Sequence, residues 1–276
     1  GAPEFKTQVA SLYKNMPVDN ILQTNGATGA TMLALYALIE PEDHVISMYP
    51  TYQQLYDIPK SLGADVDLWE VEEDKGWLPD LDQLRRLIRP NTKMICINNA
   101  NNPTGALMDA AYLEELVAIA KEVDAYIFSD EVYRSFDQPT PSIVDLYEKR
   151  IAVNSLSKTY SSPGIRVGWV ASNTEVADIL RDYRDYTMIC AGVFDDMVAT
   201  LVLENKEAIL ERNRQIVEEN LALMDEWIAK EPKASWIRPA SGSTSFVKLD
   251  VNRPIEDFAL ELLQDYGVLV VPGNRF

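Results

Sequence analysis

The chain has 276 residues, of which 47% are hydrophobic, so it can form one large domain with a substantial core, or a large and a small one. Its formal net charge of -18 argues against nucleic acids and anionic membranes as partners, because both require basic surface that neutralises phosphates. We expect neither a secretory signal peptide nor a membrane span, since no apolar run in the sequence is long enough to cross a bilayer.

The cysteines and the histidine limit the possible chemistry. Cys96 and Cys190 lie in apolar contexts without the spacing of metal ligands, so we interpret both as reduced core residues of a cytoplasmic protein, without a disulfide. The single histidine, His44, has no partner for a histidine-rich metal site or a Ser-His-Asp triad, and its place before an apolar run suggests a strand edge. We therefore predict no metal site, and proton transfer by a group other than histidine.

The two ends of the sequence indicate a fragment. It opens on Gly1 and Ala2, without a methionine, and leads directly into an amphipathic helix. It stops at residues 272–276, directly after an apolar stretch that predicts a strand. We expect further residues at both ends.

The first predicted elements are a helix, a strand and a second helix. Apolar positions at helical spacing predict a helix from Glu4 to Lys14, and Ile21 to Thr24 predicts a strand. A turn from Asn25 to Ala30 then leads into an apolar helix from Thr31 to Ile39. A strand, a glycine turn and a helix together form an anion site, because free N–H groups and the helix dipole point into the turn. Taken alone, such a turn is more often only a tight connection.

Strands and helices continue to alternate along the next part of the chain. Tyr52, at a predicted strand-to-helix corner and on the same face as Tyr56, could stack on a flat heteroaromatic ring or pack in the core. The predicted elements of this part are the strand His44–Tyr49, a helix opened by residues 50–52, the strand Asp65–Glu70, the helix Pro79–Ile88 and the strand Lys93–Asn98.

Two polar segments then follow apolar strands. Residues 99–105 are rich in turn formers, which places them at the carboxyl end of a sheet, where open α/β folds bind ligands. A helix from Asp109 to Glu122 leads to a strand at Tyr126–Phe128, which runs into residues 129–133. At the end of that strand, Asp130 could be a buried anion or a helix cap.

A lysine lies in a small polar loop between the predicted strands Ile151–Asn154 and Val167–Ala171. Hydroxyl and cationic side chains in this loop could converge on an anion such as phosphate. Lys158, held among apolar strands, could act as an amine nucleophile towards an aldehyde cofactor, or it could be an ordinary solvated lysine.

The remainder of the chain predicts helices followed by a smaller α+β unit. Many charged residues between Lys206 and Ala229 indicate a solvated helix face. The alternation of strands and helices before Thr174 implies βαβ units and a mostly parallel sheet, so we predict a large domain over residues 1–205 and a connecting helix with a partial small domain over residues 206–276. The predicted elements are the helices Glu175–Tyr186, Met197–Leu203, Lys206–Ala229 and Ile255–Asp265, and the strands Ser235–Arg238, Ser245–Leu249 and Val268–Val271.

The pattern S-x-S-K over residues 155–158, followed by P-G-x-R-x-G-W over residues 163–169, resembles the cofactor-lysine segment of class I and II aminotransferases. These are fold-type I enzymes that use pyridoxal phosphate. Five segments of the sequence match this family in the right order. The resemblance implies an α/β fold in which a mostly parallel mixed sheet, flanked by helices, forms a large domain beside a smaller α+β domain.

The resemblance also implies a role for each residue of the site. Lys158 would hold the cofactor as an aldimine and then move a proton as a free amine, while Asp130 would pair with the ring nitrogen. Asn102 and Tyr133 would hydrogen-bond the phenolic oxygen. Tyr52 would stack on the pyridine ring. The residues implied to bind the phosphate are Gly26, Ala27, Thr28, Ser155, Ser157 and Arg166.

The implied activity is transfer of an amino group between an amino acid and a 2-oxo acid, by a homodimer with shared sites. A lyase, decarboxylase or synthase on the same fold is the alternative, and a non-catalytic regulator domain is a further one. The arginine that grips the substrate carboxylate in the family lies outside this sequence, since Arg275 does not match its motif. Residues 241–244 depart from the family's glycine-rich strand entry, which, with residues 194–196, leaves side-chain specificity open.

Overall fold

A computed structural model describes residues 1–134 and 140–276. Within these residues, eight strands form one mixed sheet in the order β1-β8-β7-β6-β5-β2-β3-β4, and two more form a separate antiparallel pair. The strands are β1 (Ile21–Asn25), β2 (His44–Tyr49), β3 (Asp65–Glu72), β4 (Leu78–Pro79), β5 (Thr92–Asn98), β6 (Tyr126–Asp130), β7 (Arg150–Ser155), β8 (Val167–Ser172), β9 (Ala234–Trp236) and β10 (Val247–Leu249).

Helices cover both faces of the large sheet. They are α1 (Pro3–Ala10), α2 (Gly26–Leu38), α3 (Gln54–Ser61), α4 (Leu81–Leu87), α5 (Ala110–Glu122), α6 (Thr174–Arg184), α7 (Val193–Glu204), α8 (Lys206–Lys230) and α9 (Ile255–Tyr266). The centre of the sheet, from β7 through β6, β5 and β2 to β3, is parallel, while β8 and β4 pair antiparallel with their neighbours. This confirms the predicted α/β class and the mostly parallel mixed sheet.

The sheet is buried on both faces, because alternate residues of each central strand enter different apolar clusters. Ile46 of β2 and Ile97 of β5 pack into one cluster with α1, α4, α5 and α7. Val45 and Cys96, next to them in sequence, pack into the other cluster with α2, α3 and α6. The core therefore fixes the register of the parallel strands and, with it, the positions of the residues that follow them.

The carboxyl ends of β5, β6 and β7 meet at one edge of the sheet. Asn98 lies opposite Asp130 in the register of β5 and β6, and Asp130 lies opposite Val153 of β7. Ser155 ends β7 two residues later. Three segments that carry predicted site residues are thereby brought side by side.

The part of the chain after Asn205 consists of α8, α9 and the β9–β10 pair. Most of α8 is exposed, and pairs of Arg214 with Glu211 and Glu218 lie along it, as predicted for a solvated face. Its one buried residue, Asn213, donates from Nδ2 to the carbonyl oxygen of Thr159 at 3.0 Å. The helix thus contacts the loop that carries Lys158.

Four predictions, three about elements and one about a cysteine, are wrong. The first helix ends at Ala10, since the N–H of Lys14 donates to Asp145 Oδ1 at 2.9 Å instead of extending the helix. The second helix begins at Gly26, so no separate loop precedes it. Residues 268–271 are exposed and form no strand, because no described strand pairs with them. Cys190 is exposed, whereas Cys96 is buried as predicted and both are free thiols.

Two further features are absent from the part of the chain that the structure describes, a membrane-spanning helix and a metal-ligand cluster. No helix there combines the length and the apolar composition that crossing a bilayer requires. No group of three or more histidine, cysteine, aspartate or glutamate side chains there is arranged to hold a metal ion. His44 is fully buried at the start of β2, where its ring nitrogens contact Thr92 and Asp67.

Candidate active site

A cavity of about 250 Å³ opens at the carboxyl edge of the sheet. All of the predicted cofactor residues except Gly26 line it, and three residues that were not predicted, Asn98, Val132 and Pro163, line it as well. The predicted residues on its walls are Ala27, Thr28, Tyr52, Asn102, Asp130, Tyr133, Ser155, Ser157, Lys158 and Arg166.

Gly26 lies directly beside the cavity and has a structural reason to be glycine. Its φ is +68°, and a Cβ built there would lie 2.8 Å from Nη2 of Arg166. A Cβ on Gly168 of β8 would lie 2.4 Å from the carbonyl carbon of Gly26, so β8 and the start of α2 also approach closely. The two glycines bring the free N–H groups of the first turn of α2 next to a guanidinium, which makes an anion site.

Arg166 and the serines complete this side of the cavity. Arg166 has φ 53°, and its Nη1 donates to the carbonyl oxygen of Pro163 at 2.9 Å, which holds the guanidinium in place. Ser155 is buried at the end of β7, and its Oγ accepts from the N–H of Ser157 at 3.3 Å. Hydroxyl, guanidinium and backbone N–H groups are the donors that a phosphate requires. This donor set fits the phosphate of pyridoxal phosphate.

Asp130 is a buried carboxylate on the cavity wall. It is 4% exposed, and its Oδ1 accepts from the N–H of Val132 at 3.1 Å. Burial raises the pKa of this carboxyl to about 7, and the neighbouring Glu131 adds to the rise, while the Val132 N–H and the charge of Lys158 oppose it. A cationic ring nitrogen placed against Asp130 would therefore stabilise its charged form.

Tyr133 lies on the same wall, three residues further along the chain. It is 3% exposed, and burial, followed by the charge of Asp130, raises the pKa of its phenol to about 12, although a hydrogen bond with Ser243 opposes this. At neutral pH the phenol therefore keeps its proton and remains a hydrogen-bond donor.

Among the described residues, Lys158 is the only lysine that lines the cavity. We expected it to be held among apolar strands, and this part of the prediction is wrong, because its side chain is exposed. The loop carries it beyond the end of β7, where the cavity is open to solvent. An exposed amine at the cavity wall can reach a ligand without first crossing packed side chains.

The corner that carries Tyr52 is tied to the loop of Asn102. Thr51 Oγ1 donates to Asn101 Oδ1 at 2.8 Å, and Asn101 Nδ2 donates to the carbonyl oxygen of Pro50 at 3.2 Å. Tyr52 lines the cavity, whereas Tyr56 is 7% exposed and packs edge-on against Tyr49. Of the two tyrosines that share a predicted face, Tyr52 is thus available to a ligand and Tyr56 belongs to the core.

Asn98 is the most informative residue that sequence reasoning missed. Its Oδ1 accepts from the N–H of Asn102 at 2.7 Å, and its Nδ2 donates to the carbonyl oxygen of Asp130 at 3.0 Å. It is 1% exposed and joins two segments of the site. An asparagine at the end of an apolar strand was the available signal, because a buried amide requires polar partners.

Arg275 does not line the cavity. Its Nη2 pairs with Glu256 Oε1 at 2.9 Å, and its carbonyl oxygen accepts from Gln53 Nε2. These contacts connect the end of the described chain to α9 and to the start of α3. The Arg275 guanidinium is thus paired with a carboxylate outside the cavity.

The architecture and the cavity define a class of protein, a fold-type I α/β enzyme whose cavity, at the carboxyl edge of the sheet, is lined by donors that suit a phosphate. A family profile described as Aminotransferase class I and II matches residues 1–276, and the chain belongs to this family. It is 31% identical to an aspartate aminotransferase of Pyrococcus horikoshii, over all of this chain and 74% of that protein. It is 28% identical to a capreomycidine synthase of Streptomyces vinaceus, over all of this chain and 72% of that protein.

Solved structures agree with this assignment. A PLP-dependent aminotransferase from Streptococcus suis is 71% identical and superimposes with a TM-score of 0.98, over all of this chain and 74% of that one. The aspartate aminotransferase of Thermotoga maritima is 28% identical with a TM-score of 0.87, over 99% of this chain and 74% of that one. The protein is a pyridoxal-phosphate-dependent aminotransferase, which transfers an amino group between an amino acid and a 2-oxo acid.

Proposed function

We propose that Lys158 is the catalytic lysine of this aminotransferase and that the cavity around it binds the cofactor as the family resemblance implies. The observation that carries the proposal is the position of Lys158 on one cavity wall with the buried carboxylate of Asp130 and the phosphate-type donors around Arg166. When bound, pyridoxal phosphate supplies an aldehyde that bonds to amines and a conjugated ring that accepts electrons as a proton leaves the substrate α-carbon.

Each cavity residue has a proposed task. The backbone of Gly26, Ala27 and Thr28, with the side chains of Ser155, Ser157 and Arg166, binds the phosphate. Tyr52 contacts one face of the ring, and Asn102 and Tyr133 donate hydrogen bonds to its phenolic oxygen. Asp130 accepts a hydrogen bond from the protonated ring nitrogen. The amine of Lys158 takes the proton from the substrate α-carbon and returns it to the product.

Replacement of Lys158 tests this proposal. We expect Lys158→Ala to lower kcat/KM by about 10³-fold or more, since positioned proton transfer alone contributes 10²- to 10⁴-fold. The matched control is Lys149→Ala, at the other end of the strand, where Lys149 Nζ donates to the carbonyl oxygen of Asp124 at 3.0 Å. Wild-type turnover in the Lys158 variant would refute the assignment.

We propose that aspartate is the amino donor, because several relatives with 25% to 31% identity are named aspartate aminotransferases. A screen of amino acids against the full-length enzyme tests this, with conversion of the bound cofactor to its pyridoxamine form as the readout. Release of ammonia together with a 2-oxo acid would instead identify a lyase. Formation of a new carbon–heteroatom bond without transfer would identify a synthase.

We propose that the protein is a homodimer. A group of exposed apolar side chains precedes and begins α7, which supports an interface there, because contiguous exposed apolar surface typically marks association. Phe194 is 83% exposed. The other members of this group are Tyr186, Ile189, Val193, Met197 and Leu201.

Size-exclusion chromatography with light scattering, which measures the mass of the full-length protein in solution, tests the interface. We expect Phe194→Asp to shift the mass from dimer towards monomer, since a charge buried in an apolar interface is costly. The control is Tyr266→Asp, at a side chain that is 73% exposed on α9, which should leave the mass unchanged. A Phe194 variant that stays dimeric at micromolar concentration would contradict this placement.

We propose a cytoplasmic location. The free thiols of Cys96 and Cys190 support a reducing compartment, and fractionation of cells tests it.

We also propose a division into domains between residues 205 and 206. The boundary is supported by Asn205, which separates α7 from α8. Limited proteolysis should cut near this residue before it cuts within the large sheet.

A further inference from the structure

The loop that carries Lys158 is joined to the segment that follows β6. Strands β6 and β7 remain hydrogen-bonded as far as Glu131, whose N–H donates to the carbonyl oxygen of Val153 at 2.8 Å. Beyond that bond, Thr159 Oγ1 donates to the carbonyl oxygen of Val132 at 2.7 Å. A side-chain hydroxyl therefore continues the connection between two walls of the cavity after the backbone pairing has ended.

The backbone carbonyl of Thr159 has a partner from α8. Asn213 Nδ2 donates to it at 3.0 Å, and Asn213 Oδ1 accepts from Nη1 of Arg212 at 3.0 Å. Asn213 is 4% exposed and is the one buried residue of α8, while Thr159 is fully buried. A buried amide on an otherwise solvated helix requires polar partners, and one of them here is the residue next to Lys158.

Backbone hydrogen bonds close the loop on both sides of Lys158. The N–H of Ser161 donates to the carbonyl oxygen of Lys158 at 3.0 Å, and the N–H of Ser162 donates to that of Leu156 at 2.8 Å. Leu156 is fully buried in the core, whereas Lys158 is exposed at the cavity. Since Thr159 is held at both its hydroxyl and its carbonyl, the Cα atom next to it, that of Lys158, is held as well.

We propose that Thr159 is a positioning residue of the active site, which fixes the backbone of Lys158 relative to Asp130. This inference rests on the proposed role of Lys158 in proton transfer. The N–H of Val132 donates to Asp130 Oδ1 at 3.1 Å, so Val132 contacts both the carboxylate and the lysine loop. A displacement of about 1 Å in an active site can lower the rate about 10²-fold, so the position of the Lys158 amine depends on a connection of this kind.

A purely structural role of Thr159 would give a different result. A hydrogen bond that only stabilises the fold changes the fraction of enzyme that is folded and loaded, but not the turnover of each loaded site. A positioning residue changes that turnover, and it also changes the local order of the lysine loop in the absence of cofactor. Turnover is therefore measured per bound cofactor, and local order in the cofactor-free protein.

Thr159→Val removes the hydroxyl and keeps the shape of the side chain. In the cofactor-free full-length protein, we expect the amides of residues 156–162 to exchange with deuterium about fivefold faster, as loss of one modest hydrogen bond implies. In the loaded enzyme, kcat per bound cofactor should fall about tenfold with KM nearly unchanged, because a displaced amine affects the chemical step rather than binding. Mass spectrometry measures the exchange. Steady-state kinetics with L-aspartate, or with the amino acid that proves the better donor, measures turnover.

Two controls are matched to this variant. Thr159→Ser keeps the hydroxyl and should behave like the wild type in both measurements. Thr92→Val removes a similarly buried hydroxyl, 3% exposed, which accepts from the N–H of Arg89 at 2.8 Å at the start of β5. It should lower stability without changing exchange in residues 156–162 or turnover of the loaded sites.

Asn213→Ala removes the connection from α8 and carries the test alone if Thr159→Val does not fold. We expect about threefold faster exchange of residues 156–162 and a fall in kcat per bound cofactor, because one neutral hydrogen bond to the loop is lost. Gln215→Ala is its control, since Gln215 is exposed on the same helix and its Nε2 donates to Glu211 Oε1 at 2.7 Å.

The outcomes separate this inference from the proposed function. Unchanged exchange in the lysine loop of Thr159→Val, unchanged kcat per bound cofactor, or a Thr159→Ser enzyme as slow as Thr159→Val would overturn the positioning role alone. The same applies to Asn213→Ala if that variant carries the test. Wild-type turnover in Lys158→Ala would instead refute the catalytic role of Lys158.

Discussion

Burial of Asp130 favours its neutral carboxyl, whereas the role that we propose for it requires the charged carboxylate. In the protein without cofactor, burial raises the pKa of its carboxyl from 3.8 to about 7. The folded state then binds a proton more tightly than the unfolded state does. Asp130 therefore stabilises the fold fully below about pH 4, and this contribution is lost as pH rises to about 7. In the complex that we propose, the protonated ring nitrogen beside Asp130 would stabilise the carboxylate and so remove this cost of burial.

Replacement of Asp130 by asparagine separates its structural and catalytic effects. Above pH 7 the cofactor-free Asp130→Asn protein should be more stable than the wild type, by at most roughly 4 kcal/mol. The loaded variant should lose turnover by about 10²-fold or more, because a neutral amide does not favour the protonated ring nitrogen. Urea denaturation at pH 5 and pH 8, together with steady-state kinetics, measures both. A variant with wild-type turnover would contradict the assigned role.

Replacement of Asn98 should lower stability and cofactor affinity, although we assign this residue no contact with substrate. Asn98→Ala removes the acceptor of the Asn102 N–H and one donor to the Asp130 carbonyl oxygen, which we expect to cost about 1–3 kcal/mol and to weaken cofactor binding. Equilibrium dialysis of pyridoxal phosphate and chemical denaturation provide the readouts. Asn205→Ala, which removes a hydrogen bond to the Leu201 carbonyl oxygen at an exposed site, should leave cofactor affinity unchanged.

At the scale of elements, the start of α2 is the part of the fold that we propose as the phosphate site. Gly26→Ala should lower cofactor affinity and stability together, because the added methyl group combines a left-handed backbone with a contact of 2.8 Å to Arg166. Gly76→Ala is the matched control, since Gly76 also has φ +68° but nothing lies within 4 Å of its Cβ position. Equal loss of cofactor affinity in both variants would show that backbone strain alone, and not the anion site, is responsible.

The strands were predictable because their apolar runs are short and bounded by turn formers. The prediction for β2, His44–Tyr49, matches its observed bounds, and the central strands differ by a few residues at their ends. The start of α2 was not predictable from residue types, since a glycine normally disfavours a helix and tertiary contacts with Arg166 and Gly168 override this. Residues 268–271 have the composition of a buried strand, but a strand requires a neighbour, which composition does not supply.

At the scale of the whole molecule, the site was predictable to the extent that its residues follow parallel strands. Asp130 and Ser155 end neighbouring strands, so their proximity follows from the βαβ pattern alone. The Tyr133 ring, in the turn after β6, packs against Gly242, in the turn before β10, and these residues are distant in sequence. Such contacts depend on how the turn before β10 packs against the large sheet, and no local pattern encodes that.

We propose that one amine, that of Lys158, bonds to the cofactor. Borohydride reduction of the full-length enzyme, followed by proteolysis and mass spectrometry, locates the attachment directly. We predict that the pyridoxyl group is found on the peptide that contains Lys158, and that it is absent from the Lys158→Ala protein. Attachment to another lysine, or an unmodified Lys158 peptide from fully loaded enzyme, would contradict the account.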